Sequence, residues 1–261
     1  MRFKLAITLL LLLAAGLVLG HPEDELCVPG QDGMDPALCA ALAEMNSSEG
    51  ELSQTELAPI LDELGNERSF MSTAGLYITI GIGHILPDGA DHILFVLAIF
   101  LASVRLKALI WQISAFTVAH TATLALAASG VITPSSAVVE PLIAFTIAFV
   151  AIENLVFKDM TRWRPFVVFG FGLIHGLGFA GFFGELGLPP GQFWSALIGI
   201  NVGVEIGQLS VILVAAILGA VARRLLRDPD GLLRYRSWIA RPGSLLISLT
   251  GLWWGITRLL A

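Results

Sequence analysis

Two histidines and two aspartates fall within nine residues of one stretch, Gly83-His84-Ile85-Leu86-Pro87-Asp88-Gly89-Ala90-Asp91-His92-Ile93-Leu94-Phe95. Imidazoles beside carboxylates form a nitrogen/oxygen donor set, and such a set suits a divalent transition metal ion. Apolar runs lie on both sides of the stretch. An ionisable group at the edge of, or inside, hydrocarbon is costly unless it is paired or has a task.

More polar groups of the same kind are embedded in the apolar segments: His120, Glu140 just before Pro141, the pair Glu153-Asn154, His175, and then Asn201, Glu205 and Gln208. Asn201 and Glu205 are four apart and share a helical face, with Gln208 three further on. Counted along their segments, His92, His120, Glu140, His175, Asn201 and Glu205 fall in one half of the membrane or near its middle, so one site can collect them. Glu153 and Asn154 lie deeper, as an inner step or a structural clasp, and Gln208 belongs with that inner step. The competing reading is a purely structural network, each histidine serving as an interhelical hydrogen-bonder.

The elements that must position these groups are membrane helices. Of 261 residues, 56% are hydrophobic and 14% charged, against about a quarter charged in soluble domains. Apolar segments run over 72–86, 90–104, 108–129, 137–157, 165–185, 193–222 and 239–259. A spanning helix needs about 20 residues. The first two segments are short and are split by Pro87-Asp88-Gly89, which breaks a helix. Eleven of the 15 bases sit in three alternate loops, after segments two, four and six, while the loops Val131–Ser136 and Leu186–Gln192 have none. Basic loops face the cytoplasm. The expected fold is therefore all-α: a polytopic bundle of about six crossings plus a broken or re-entrant half-helix, with the His84–His92 turn near the outer face. Gly199, Gly203 and Gly207, and likewise Gly172 and Gly176, recur at a four-residue spacing that lets helix backbones approach.

Residues 1–20 read as a secretory signal, with Arg2 and Lys4 ahead of an apolar core. Residues 21–70 form an acidic exported region, and 71–261 the membrane domain. Twelve of the 21 acidic residues lie between Glu23 and Glu67. Cys27 and Cys39 are the only cysteines, and in an exported segment they are expected to pair as a disulfide. No basic, aromatic-rich patch points to nucleic acid. The surroundings expected are membrane lipid, in a cell membrane of the bacterial inner-membrane kind.

Taken together and in order, several runs resemble the HupE/UreJ family of membrane proteins. They are His84 to Phe95, Ala115-Phe116-Thr117-Val118-Ala119-His120-Thr121, Val139-Glu140-Pro141, Ala151-Ile152-Glu153-Asn154, Phe171 to Ala180, and Asn201 to Gln208. The resemblance covers about residues 70–222. It implies a secondary permease for nickel or cobalt, linked in some members to hydrogenase or urease maturation, and hence to metalloenzyme-maturation partners. The nickel–cobalt permease hallmark is a histidine, a short spacer and Asp-His. Here the spacer is six residues, Ile85 to Ala90, longer than usual. On this reading His84, Asp91 and His92 capture the ion outside, and His120, His175 and Glu205 hold it deeper, with Glu140 and Asn201 nearby.

Two other functions use the same residues. Three histidines and an acid can hold zinc and activate water, which would make an intramembrane zinc-dependent hydrolase with Ser114 or Glu140 in its site. A membrane assembly protein with a polar core and no ion flux is the third. No nucleotide-binding P-loop occurs, so a permease must draw on a gradient or a partner.

Overall fold

A computed structural model of the chain describes residues 69–102, 106–157, 161–179, 190–226 and 235–260. The signal sequence, the acidic region and the Cys27–Cys39 pair lie outside the described residues. The described residues are helical, with no strand among them. Seven α-helices follow one another: α1 (Phe70–Ile85), α2 (Ala90–Ala102), α3 (Leu106–Ala128), α4 (Ser136–Val156), α5 (Arg164–Gly178), α6 (Phe193–Leu226) and α7 (Arg241–Leu260). Their bounds track the apolar segments closely, because in hydrocarbon a backbone satisfies its polar groups within its own helix.

Three of these helices, α3, α4 and the first 30 residues of α6, are long and apolar enough to cross a membrane, and α1 with α2 makes a fourth if the bent pair is one span. The count of about six is therefore looser than length and composition support: α5 has only 15 residues and α7 is less apolar than the others. Large apolar side chains cover the outer surface, including Trp111, Trp163, Trp194, Trp238 and Trp253. An apolar bundle with such a coat is a membrane protein.

Close contact between backbones sets the helix pairing. α1 packs along α6, α3 along α5, and α4 along α7. In the first pair a Cβ on Gly203 would lie 2.2 Å from the Ile78 carbonyl oxygen, and one on Gly81 2.2 Å from that of Ile200. Neither backbone can yield without the helices parting, and overpacking of this kind costs about 1–3 kcal/mol. Gly203→Ala should therefore lower the thermal unfolding midpoint in detergent. Gly75→Ala, on the same α1 but with nothing within 4 Å of the added carbon, should leave it unchanged or higher. Equal midpoints for the two variants would contradict the close α1–α6 packing.

The same contacts give the run of the chain. Gly199 meets Ala74, Gly207 meets Ile85, and Gly219 meets Phe100. Contacts thus advance together along α6 and along α1 and then α2, so both members of the pair, bent by 72° at the break, lie against α6. Pro87 has no amide hydrogen to continue α1 and disfavours helical backbone at Leu86. Gly89 folds against the end of α1, where a Cβ would sit 2.2 Å from the His84 carbonyl oxygen. The break lies level with Gly207, roughly 21 Å along α6 from Phe193 at 1.5 Å per residue. The His84–His92 turn therefore packs against the middle of α6, inside the bundle.

Candidate metal site

The break delivers two imidazoles at once, His84 from the last turn of α1 and His92 from the first turn of α2. His120, fully buried on α3, completes a trio whose ligating nitrogens all lie within 4.8 Å of one another. The ring centroids of His84 and His92 are 4.8 Å apart, and those of His92 and His120 5.9 Å. His175 of α5 stands beside the trio, 5.2 Å from His92 between centroids. α5 is brought to this position by Gly176, whose Cβ, if present, would meet the Thr123 hydroxyl and the His120 carbonyl.

The hydrogen bonding of these rings is incomplete in a specific way. His84 Nε2, His92 Nε2, both nitrogens of His120, and His175 Nδ1 are buried and make no regular hydrogen bond. The other nitrogen of His175 lies 2.9 Å from the Thr146 hydroxyl. That hydroxyl already donates to the Ile143 carbonyl at 2.7 Å, so it accepts from His175 Nε2–H. His175 Nδ1 is then left as a bare lone pair. A hydrogen bond that fixes the tautomer of a ring while freeing its other nitrogen is a common support for a metal-binding histidine. Phe179 covers His84 at 3.8 Å between centroids, and Phe95 and Phe116 lie 5.0 and 5.1 Å from His175. The walls are largely apolar, with the Asn201 side chain the polar group facing His120. Several buried ring nitrogens without a regular hydrogen bond each cost desolvation energy, and a divalent ion would satisfy them together.

Of the other predicted residues, Asn201 brings its side chain to His120, and the rest lie outside the trio. Asp91 is paired with Arg258 of α7, at 3.0 Å. The guanidinium also reaches the Glu140 carbonyl oxygen at 3.4 Å and lies 5.4 Å over the Trp254 ring. The side chain of Glu140 is exposed. Asn201 is buried, donates to the Leu197 carbonyl, and faces the His120 ring. Glu205 accepts from Ser114 at 2.7 Å and from Thr117 at 2.5 Å, and Thr117 also contacts Gln208 at 3.1 Å. The glycines of α5, Gly172 and Gly176, pack on α3, whereas Gly199, Gly203 and Gly207 of α6 pack on α1. Glu153 and Asn154 join Arg164 at the basic end of the bundle.

Three of the residues that shape the site were not singled out from the sequence. Thr146 carries no signal of its own, being one hydroxyl in an apolar run. Phe179 sits within the Phe171–Ala180 run but is an ordinary aromatic there. Arg258 was detectable: it is an isolated base at the far end of the last apolar segment, away from the basic loops.

No curated protein and no solved structure matches the chain. A family model described as HupE / UreJ protein matches residues 61–258, which takes in all seven helices up to Arg258 and every residue of the histidine cluster. With that match over most of its length, the chain belongs to the HupE/UreJ family.

Proposed function

We propose that the protein is a membrane permease for a divalent transition metal ion, nickel or cobalt in the first instance, with His84, His92, His120 and His175 as the binding station inside the bundle. The observation that carries this reading is the set of five buried imidazole nitrogens that make no regular hydrogen bond and face largely apolar walls. Four neutral rings can replace part of the hydration shell of an ion without adding charge. They also hold it less tightly than thiolates would, as release on the far side requires. The broken span places non-helical backbone, Leu86 to Gly89, beside the station. Such backbone occurs at membrane depth where it lines a cavity or is covered by protein. It offers two helix ends that can move relative to one another, which suits alternating access.

The basic ends of the helices define the cytoplasmic side on this reading, with the chain multi-pass in a bacterial inner membrane and its N-terminal region exported. Asp91 then serves the station indirectly, its carboxylate held by Arg258 next to His92. Partners that mature nickel enzymes are the natural recipients of the ion.

The test is uptake of nickel or cobalt into liposomes containing the purified protein and an entrapped fluorescent chelator. Ion entry above that of protein-free liposomes is expected. A tightly retained zinc ion, hydrolytic turnover and no entry would overturn the permease in favour of the metalloenzyme.

A further inference from the structure

Asn201 of α6 faces His120 of α3, and the two ends of its amide are not equivalent. The nitrogen donates to the Leu197 carbonyl at 2.7 Å. A carbonyl can only accept, so this bond assigns the nitrogen to the Leu197 side and turns Oδ1 away from it. Oδ1 is buried and makes no regular hydrogen bond. His120 is fully buried, and neither of its ring nitrogens makes a regular hydrogen bond. The amide is also held in place along the bundle. Gly199 and Gly203, on either side of Asn201, seat α6 against the Ala74 and Ile78 carbonyls of α1, with no room for a Cβ at either glycine. A neutral imidazole carries one N–H and one lone pair. The amide oxygen has only lone pairs, so it can accept the N–H and nothing else from the ring. The lone pair of His120 is then on the opposite nitrogen.

We propose that Asn201 is a positioning residue for the imidazole station: its Oδ1 accepts the His120 N–H, fixes that ring in one tautomer and keeps the opposite nitrogen as a lone pair for the ion. The role repeats, from α6, what Thr146 of α4 does for His175, whose Nε2 lies 2.9 Å from the Thr146 hydroxyl. Both acceptors are neutral. An outer acceptor raises the basicity of a ligating imidazole, and an ionised carboxylate in that place makes the stronger, charge-assisted bond. The acids in the neighbourhood are otherwise engaged. Glu205, one turn further along α6, accepts from Ser114 and Thr117, and Asp91 is paired with Arg258. Two of the rings are thus oriented by an amide and a hydroxyl, which hold the tautomer without strengthening the grip on the ion as a carboxylate would. That balance suits a station that must release what it binds. The positioning role rests on the station proposed above, whereas the contact between Asn201 and His120 does not.

Two measurements on the full, detergent-purified chain test this. The first needs no metal. Nuclear magnetic resonance of protein carrying isotope-labelled histidine, with His120→Ala to identify the His120 signals, reads the tautomer of that ring. One tautomer is expected, with its N–H protected from exchange, and both features should be lost in Asn201→Leu. A His120 spectrum unchanged in Asn201→Leu would overturn the contact. The second is titration calorimetry with nickel. Asn201→Leu should bind about 10-fold more weakly, the low end of the range for loss of an outer-shell partner. Asn201→Asp offers an acceptor oxygen whether ionised or protonated, and it should bind at least as tightly as wild type, a rescue that an amide needed only for packing does not give. Thermal unfolding shows that each variant is folded, and Asn201→Ala takes the place of Asn201→Leu if the latter is not. Unchanged binding in the folded Asn201→Leu variant, or binding as weak in Asn201→Asp as in Asn201→Leu, would overturn the positioning role. If the wild type binds no nickel, the station fails and the positioning role with it, while the histidine spectra still decide the contact.

Discussion

Replacing His120 by alanine should weaken nickel binding at least about 100-fold, beyond the 10–100-fold typical when only an outer-shell partner is removed. The reason is geometric. His120 is fully buried, neither of its ring nitrogens makes a regular hydrogen bond, and its ligating atom lies within 4.8 Å of those of His84 and His92. Its loss takes away a ligand and leaves the other rings facing largely apolar walls. His92→Ala should do the same, since His92 touches His84, His120 and His175. Residues that act as one unit lose energy non-additively, so the double variant should bind little worse than either single one. Additive losses would mean that the rings bind separately. His175→Ala also removes a lone pair and should follow the trio. Thr146→Val should be milder, because the ring remains and only its orientation is released. Binding by neutral imidazole competes with protons, so the wild-type affinity should fall as the medium is acidified. Titration calorimetry on monodisperse, detergent-purified variants reads all of these.

The second large effect is on stability, at the other end of the bundle. Arg164 is 2% exposed, donates to Asn154 Oδ1 at 2.9 Å, and lies 3.4 Å from Glu153 Oε2, an ion-pair contact without hydrogen-bond geometry. Thr161 donates to the other Glu153 oxygen at 2.6 Å. Asn154 in turn donates to the Ala98 carbonyl and the Ser244 hydroxyl. One cluster therefore ties α2, α4, α5 and α7 together. Removing one partner of a buried pair leaves an uncompensated charge and costs about 3–5 kcal/mol. Arg164→Met should thus unfold at a clearly lower temperature than wild type, and adding Glu153→Gln should recover part of the loss. A midpoint unchanged in Arg164→Met would mean that the pair holds nothing together. Glu153→Gln alone should leave nickel binding largely intact and slow transport, because the clasp joins the helices that must move.

Much of the fold was legible because hydrocarbon imposes simple rules. The helix bounds follow the apolar segments to within a few residues, and Pro87-Asp88-Gly89 announces the break. The glycines of α6 and α5 point to close pairing, and the structure assigns their partners as α1 and α3. The place along α6 where the break packs was not legible. A charge count places loops on one side or the other, but the helix that a turn packs against is set by tertiary contacts such as Ala74–Gly199 and Ile85–Gly207. The roles of the acids were hidden for a related reason. Asp91 and Glu205 look equivalent in sequence, each a carboxylate beside a histidine or amide. A single arginine 167 residues away takes Asp91, whereas two hydroxyls 91 and 88 residues away take Glu205. Such assignments come from tertiary contacts that neither spacing nor hydropathy encodes. Histidines are more telling because an apolar segment has few groups to satisfy them, so several at related depths tend to find each other.

The most direct test of the imidazole station is X-ray absorption at the nickel edge on the purified protein loaded with one equivalent of the ion. The expected spectrum shows a first shell of nitrogen and oxygen with the outer-shell scattering of at least three imidazole rings, and His92→Ala and His120→Ala each lose that signature. A shell of oxygens without imidazole scattering, or a spectrum identical in wild type and the His120 variant, would contradict a binding station built from His84, His92 and His120.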